Sequence, residues 1–167
     1  MTFRKFADKT YETRDEYIKD CLANARKIEE EVKTFLETFF PEWGKLKLSE
    51  GCDKRGDIYA PRHKTFMEVK HDTTSHKTGN FYLEEDAWNG SKSDIWVFVD
   101  NDKYYFIRKK KIAKMLFEFD LKEVMGGDKK QYRGWLIPRG MILAEASVFP
   151  RNWQGDTDWY RQYVLRK

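Results

Sequence analysis

The sequence predicts an α/β domain in which a long N-terminal helix precedes a central mixed β-sheet flanked by further helices. Three observations carry that expectation. Between Thr13 and Phe40 the apolar residues Ile18, Cys21, Leu22, Ala25, Ile28, Val32, Phe35, Leu36 and Phe39 recur at intervals of three and four, the period of one helical face. After Pro41 the pattern changes to short extended runs rich in β-branched and aromatic residues, as strands are. The last third mixes both signals, and helix, then strands, then mixed elements is the order of a layered α/β or α+β domain.

Thr13 followed by Glu16 reads as a capping box and Pro41 as the stop of the first helix, a long amphipathic element with room for one break. Strands are expected at 45–48, 57–60, 65–70, 81–83, 95–99 and 104–107. Helical pieces are expected at 112–119 and 121–125, strands at 134–138 and 141–146, and a closing helix or strand at 158–165. No repeat, low-complexity tract or linker interrupts the chain, and the prolines at 41, 61, 138 and 150 fall between elements. Residues 1–167 therefore read as one domain.

Composition narrows the function classes. A chain of 167 residues with 40 % hydrophobic content encloses a core without disulfide or metal staples. The longest apolar run, Ile95 to Val99, is far short of the ~20 residues of a membrane span. The N-terminus lacks the apolar stretch of a secretory signal, and Cys21 and Cys52 are the only cysteines, so a reduced, intracellular protein is expected. Charged residues make up 36 %, a level compatible with disorder, but 27 aromatic residues supply the apolar mass that disordered chains lack. The net charge of +4 is unevenly distributed: residues 1–50 sum to −1, residues 51–100 to −2 and residues 101–167 to +7.

The segment from Gly51 to Asp72 carries the chemistry. Two strands joined through Pro61 suit an antiparallel hairpin, and alternation along the second puts Phe66, Glu68 and Lys70 on one face with Met67 and Val69 on the other. A hairpin of this length brings the carboxylate of Asp57 beside that of Glu68. Two converging carboxylates repel, and a divalent cation resolves the conflict. Hard oxygen ligands favour magnesium or manganese, which bind one or two carboxylates together with a substrate phosphate. Lys70 is then placed to hold a water and to balance charge on phosphorus, which suits phosphodiester hydrolysis. Glu-Val-Lys in a strand is also a common surface pattern, so the weight rests on the combination with Asp57 and the preceding helix.

Gly56-Asp57 and Glu68-Val69-Lys70, in this order after a long helix, resemble the PD-(D/E)XK nuclease superfamily, the restriction-endonuclease-like fold that includes phage nucleases and Holliday-junction resolvases. Glycine stands where the family often has proline. The resemblance covers a core of about residues 14–108 and leaves a basic, aromatic extension over about 109–167. It implies a magnesium-dependent DNA endonuclease, with manganese able to substitute, in which Glu29, Asp57, Glu68 and Lys70 are catalytic and Asp57, Glu68, the Val69 carbonyl and Glu29 hold metal. Glu29 is chosen from the triplet Glu29-Glu30-Glu31 because it interrupts the apolar face of the helix, whereas Glu30 neighbours Arg26, Lys33 and Thr34. Glu84 is a further metal candidate, and Asn80 and Lys92 are candidates for phosphate contact, with a turn role as the competing reading for Asn80. The resemblance also implies DNA as partner, branched DNA such as a Holliday junction among the substrates, a homodimer, and a cytoplasmic, nucleoid-associated site in a bacterial or phage-infected cell.

His71 is expected to face away from Glu68 and Lys70, as a phosphate contact, and Lys77 joins it on the same reading. Arg108, Lys109, Lys110 and Lys111 open a cation cluster that continues to Lys114, for which a DNA backbone is the natural partner. The aromatic and basic residues from Arg151 to Lys167 suit core packing or a dimer contact ahead of base stacking. A rival from another class is a DNA-binding protein without catalysis, in which the acidic residues are structural.

Overall fold

Thr13 starts the long helix as its spacing to Glu16 predicts. The Glu16 amide donates to the Thr13 hydroxyl at 3.2 Å and the Thr13 amide donates to the Glu16 carboxylate at 3.4 Å. In the computed structural model, which describes residues 4–6, 9–11, 13–51, 53–126 and 132–155, this helix, α1, runs unbroken over Arg14–Phe39. It follows a two-stranded antiparallel hairpin of β1 (Arg4–Phe6) and β2 (Lys9–Tyr11), an element the sequence pattern does not announce.

A 3-10 turn at Pro41–Trp43 leads into β3 (Lys47–Leu48), β4 (Ile58–Ala60) and β5 (Thr65–His71). The chain continues through α2 (Ser75–Thr78), β6 (Asn80–Glu84), α3 (Glu85–Gly90), β7 (Ile95–Val99), β8 (Lys103–Arg108) and α4 (Lys109–Glu118). Then come β9 (Lys122–Gly126), β10 (Tyr132–Pro138), α5 (Arg139–Glu145) and β11 (Ser147–Pro150). Six strands form a mixed sheet in the order β11-β8-β7-β5-β4-β3, and β6-β10-β9 form a smaller antiparallel sheet. In the large sheet β5 and β7 are parallel, and the other neighbours are antiparallel.

Successive side chains of the central strands point to opposite faces of the sheet and so join two separate cores. Met67, Val69, Ile95, Val97 and Val99 face Ile28, Val32, Phe35 and Leu36 of α1. Trp96, Phe98, Tyr105 and Ile107 face the small sheet and the helices α4 and α5, meeting Phe81, Leu83, Ile112, Ile137 and Ile142. The first half of the predicted helical stripe departs from this scheme. Ile18 is 39 % and Leu22 64 % exposed, and Ala25 is also exposed. A 26-residue helix is about 39 Å long, and its buried stripe begins only at Ile28.

Two expected elements exchange character. Residues 121–125, expected helical, form β9, because β10 offers an antiparallel partner from Leu136↔Lys122 to Tyr132↔Gly126. Residues 141–146, expected extended, lie largely in α5, where Ile142 and Ala146 are buried one helical turn apart, and the strand follows as β11. Both are short apolar runs, which periodicity alone cannot assign. The expected closing element at 158–165 lies outside the described residues. Among the described residues no helix is long and apolar enough to cross a membrane.

Asp100 fastens the two sheets together. It is 2 % exposed, caps the β7–β8 turn by accepting the amides of Asp102 and Lys103 at 2.8 Å, and accepts the Tyr105 hydroxyl at 2.7 Å and Arg139 Nη2 at 2.8 Å. Arg139 begins α5 just after β10, so its guanidinium ties the small sheet to the turn of the large one. Arg139→Met leaves this buried carboxylate short of its cation and is expected to destabilise the fold by about 3 kcal/mol in chemical denaturation.

Candidate functional site

β4 stops pairing with β5 where the two strands would bring two acids face to face. The register sets Ile58 opposite Met67, so one more pair would set Asp57 opposite Glu68. Instead the Asp57 amide donates to the Met67 carbonyl at 2.8 Å, and the Val69 amide donates to Asp57 Oδ2 at 2.7 Å. The side chain of Asp57 thus takes the place of a backbone acceptor for β5.

Gly56 makes this bend. Its φ of +149° is closed to other residues, and a Cβ there would stand 2.2 Å from Ser93 Oγ and 2.8 Å from the Met67 carbonyl. On the other side, the Ser49 amide donates to the Asp57 carbonyl at 2.8 Å, so the acid is fixed from both ends.

Glu68 and Lys70 share one face of β5, as alternation predicts, and Lys70 Nζ lies 2.7 Å from Glu68 Oε1. Glu68 is 9 % exposed, and its Oε2 accepts the Ser91 hydroxyl at 2.9 Å. Lys70 Nζ also sits 5.7 Å from the centroid of the Trp96 ring. Burial, and then the charge of Glu68, push the Asp57 carboxyl up to about 7, against the Val69 hydrogen bond and the Lys70 charge, which act in the other direction.

The glutamate triplet divides as helical geometry requires. Glu29 turns to the site: burial raises its pKa, Arg26 opposes the rise, and the charges of Glu68 and Lys70 act on it. Its carboxylate accepts Arg26 Nη1 at 3.2 Å, while the same nitrogen donates to the Ser49 carbonyl at 2.8 Å. Glu30 is exposed. Glu31 accepts Arg151 Nε and Nη2, both at 2.7 Å, and the Tyr104 hydroxyl. Burial alone would raise Glu31, and these partners outweigh it and lower its pKa.

The remaining candidates are scattered around this centre. His71 turns to α1, where its Nδ1 is 3.3 Å from Asn24 Nδ2, and burial followed by the charge of Arg151 lowers its pKa. Asn80 serves its own turn, donating to the Thr78 carbonyl at 2.9 Å. Glu84 ends β6 opposite Gly134 in the small sheet, whereas the carboxylates that act on Asp57 are Glu68 and Glu29. Lys77 is exposed on α2. Lys92 is exposed beside the site, its amide donating to the Lys54 carbonyl at 3.1 Å.

In the basic cluster Arg108 and Lys110 are exposed and Lys111 pairs with Glu145. Lys109 turns inward to the carbonyls of Ser91 and Trp88 at 2.5 and 3.3 Å. Sequence reasoning missed Ser91 as a partner of Glu68. The contact has no period or spacing to reveal it, since Ser91 and Glu68 meet only through the fold.

All-oxygen donors from Asp57, Glu68 and the Val69 carbonyl match what a hard divalent cation takes from protein. Among the described residues no three His, Cys, Asp or Glu side chains converge as a ligand set, so Glu29 stands at the edge of this pair. No protein-family model matches the chain, and no curated protein matches it by sequence.

An acid whose folded pKa is raised holds its proton in the folded state while the unfolded chain has lost it. Stability is therefore lost as pH rises from about 4 to about 7. At ~1.4 kcal/mol per pH unit the upper bound is about 4 kcal/mol. Asp57→Asn, which keeps an acceptor for the Val69 amide, is expected to raise the melting temperature at pH 8 in the presence of a chelator and to leave it unchanged at pH 4. Thermal denaturation at the two pH values checks this.

Proposed function

We propose that this chain is a magnesium-dependent DNA endonuclease of the restriction-endonuclease-like, PD-(D/E)XK class, hydrolysing phosphodiester bonds. The observation that carries the reading is the meeting of Asp57 and Glu68 at the parting of β4 and β5, with the Lys70 amine 2.7 Å from Glu68. A long helix packed on a mixed sheet, and three chemistry-bearing side chains in the order Asp57, Glu68, Lys70, support it together.

Asp57, Glu68 and the Val69 carbonyl would hold the cation. When bound, a magnesium or manganese ion supplies positive charge beside the phosphate oxygens and acidifies a coordinated water. The rest of the work falls to the chain itself. The Val69 amide keeps Asp57 from rotating away. Lys70 donates a hydrogen bond to the attacking water or to a non-bridging phosphate oxygen, where its charge offsets the negative charge that grows during in-line attack. As the water oxygen bonds to phosphorus the bond to the 3′ oxygen breaks; the water gives up a proton to solvent and the leaving oxygen takes one from solvent, which leaves a 3′-hydroxyl on one end and a 5′-phosphate on the other. Glu29, steadied by Arg26, orients water at the edge of the site. Glycine in place of the family's proline before Asp57 follows from its φ of +149°, which proline cannot adopt.

Lys54 and Lys92 are exposed on loops joined by a backbone hydrogen bond, close in sequence to the Gly56 bend and to Ser91, and would suit phosphates neighbouring the scissile one. Branched duplexes are the first class of substrate to test. Paired cuts need two sites, for which a homodimer is the simplest assembly.

One observation favours a non-catalytic DNA-binding protein instead: Glu68 is already satisfied by Lys70 and Ser91, as in a structural ion pair. The two readings separate on metal. With magnesium, the protein is expected to cut supercoiled plasmid, linear duplex or a four-way junction, with chelator abolishing the activity and Glu68→Ala and Lys70→Ala each lowering it about 100-fold or more. Cleavage that persists unchanged in both variants overturns the site. Metal-indifferent, strongly salt-dependent binding without cleavage establishes the rival.

A further inference from the structure

Ser91 closes α3 and is 7 % exposed. Its hydroxyl oxygen accepts the Ser93 amide at 3.2 Å, so its single proton is directed to Glu68 Oε2, 2.9 Å away. Lys70 takes the other oxygen, Oε1. Between them the two donors set the plane of the Glu68 carboxylate and leave a second lone pair on each oxygen.

The loop that carries Ser91 is itself immobilised. The Ser91 carbonyl accepts Lys109 Nζ at 2.5 Å, and the same ammonium lies 4.8 Å from the centre of the Trp88 ring. The Lys92 amide donates to the Lys54 carbonyl at 3.1 Å and the Ser93 hydroxyl to the Arg55 carbonyl at 2.8 Å, while the Asp94 amide donates to the Phe66 carbonyl at 3.1 Å. The loop is thus tied to the Gly56 bend that places Asp57 and to the strand that carries Glu68.

We propose that Ser91 is a positioning residue for Glu68, holding one carboxylate oxygen apart from Lys70 so that the acid presents a fixed lone pair toward Asp57. This rests on the endonuclease reading and adds to it a residue from outside the Asp57, Glu68, Lys70 set. Without the hydroxyl, Glu68 is free to turn both oxygens to the Lys70 ammonium. That closes the ion pair, weakens cation binding and draws Lys70 away from the water or phosphate.

The test uses the full chain with Mn2+ alone as the first probe, titrated by calorimetry and by the loss of the free-ion electron paramagnetic resonance signal. Ser91→Ala is expected to bind Mn2+ about 10- to 100-fold more weakly than wild type, and Ser91→Thr, which keeps the hydroxyl, to bind like wild type. In plasmid cleavage with magnesium, Ser91→Ala is expected to lower kcat by a similar factor with KM unchanged. Equal Mn2+ affinity in wild type and Ser91→Ala overturns the inference and leaves the endonuclease reading standing. So does a Ser91→Thr defect as large as that of Ser91→Ala, which assigns the position to packing. A wild-type chain that takes up no Mn2+ overturns both. Should Ser91→Ala fail to fold, Ser91→Cys, of similar size and a weak donor, is expected to show the same loss at smaller amplitude.

Discussion

The hydrogen bond from the Val69 amide to Asp57 Oδ2 is the constraint around which this molecule is arranged. A buried amide on a central strand must find an acceptor, and the Gly56 carbonyl that would face Val69 in a continued ladder accepts the Ser49 hydroxyl instead. The side chain of Asp57 supplies the acceptor, which simultaneously stops β4, satisfies β5 and holds a carboxylate next to Glu68. The unfavourable part is electrostatic: Asp57 loses water and gains a like-charged neighbour. The surroundings oppose that cost with one amide and one ammonium rather than with an arginine, and so leave the pair only partly neutralised.

That arrangement is possible because β5 is used on both faces for different purposes. Met67 and Val69 anchor it to α1 through the larger aromatic and aliphatic core, and Glu68 and Lys70 occupy the face shared with Trp96. Strand alternation alone makes the acid rigid, since moving Glu68 would drag two core residues out of register. The ends of the sheet are held by separate ionic clasps, Glu31 with Arg151 and Asp100 with Arg139. Neither clasp involves Asp57 or Glu68, so sheet closure and the chemistry-bearing pair do not compete for the same charges.

What the sequence made legible was whatever depends on local period. The capping box at Thr13, the stop at Pro41, the hairpin of β4 and β5, the shared face of Glu68 and Lys70, and the inward turn of Glu29 beside an exposed Glu30 all follow from spacings of two, three or four residues. What it left illegible depends on contacts between distant segments. Leu22 reads as core but is 64 % exposed, because periodicity defines a helical face without saying how far the sheet beneath it extends. Residues 121–125 became a strand because β10 lay ready to pair with them. Ser91 reads as one polar residue in a turn, and its meeting with Glu68, 23 residues away, depends on how α2, β6 and α3 lead the chain back to β5.

Charge shows the same division between sum and place. The +7 excess of residues 101–167 suggests a continuous basic face, yet part of it is directed inward or paired. Lys109 serves the carbonyls at the end of α3, Lys111 and Lys114 face Glu145 and Glu118, and Arg139 and Arg151 close the two ionic clasps. The cation that pairs with Glu68 and acts on Asp57 comes instead from the segment with a net charge of −2, as Lys70. The field at the two carboxylates is therefore set by one neighbouring lysine rather than by the sign of a distant region, and reversing that one charge changes it far more than an equal change in the total.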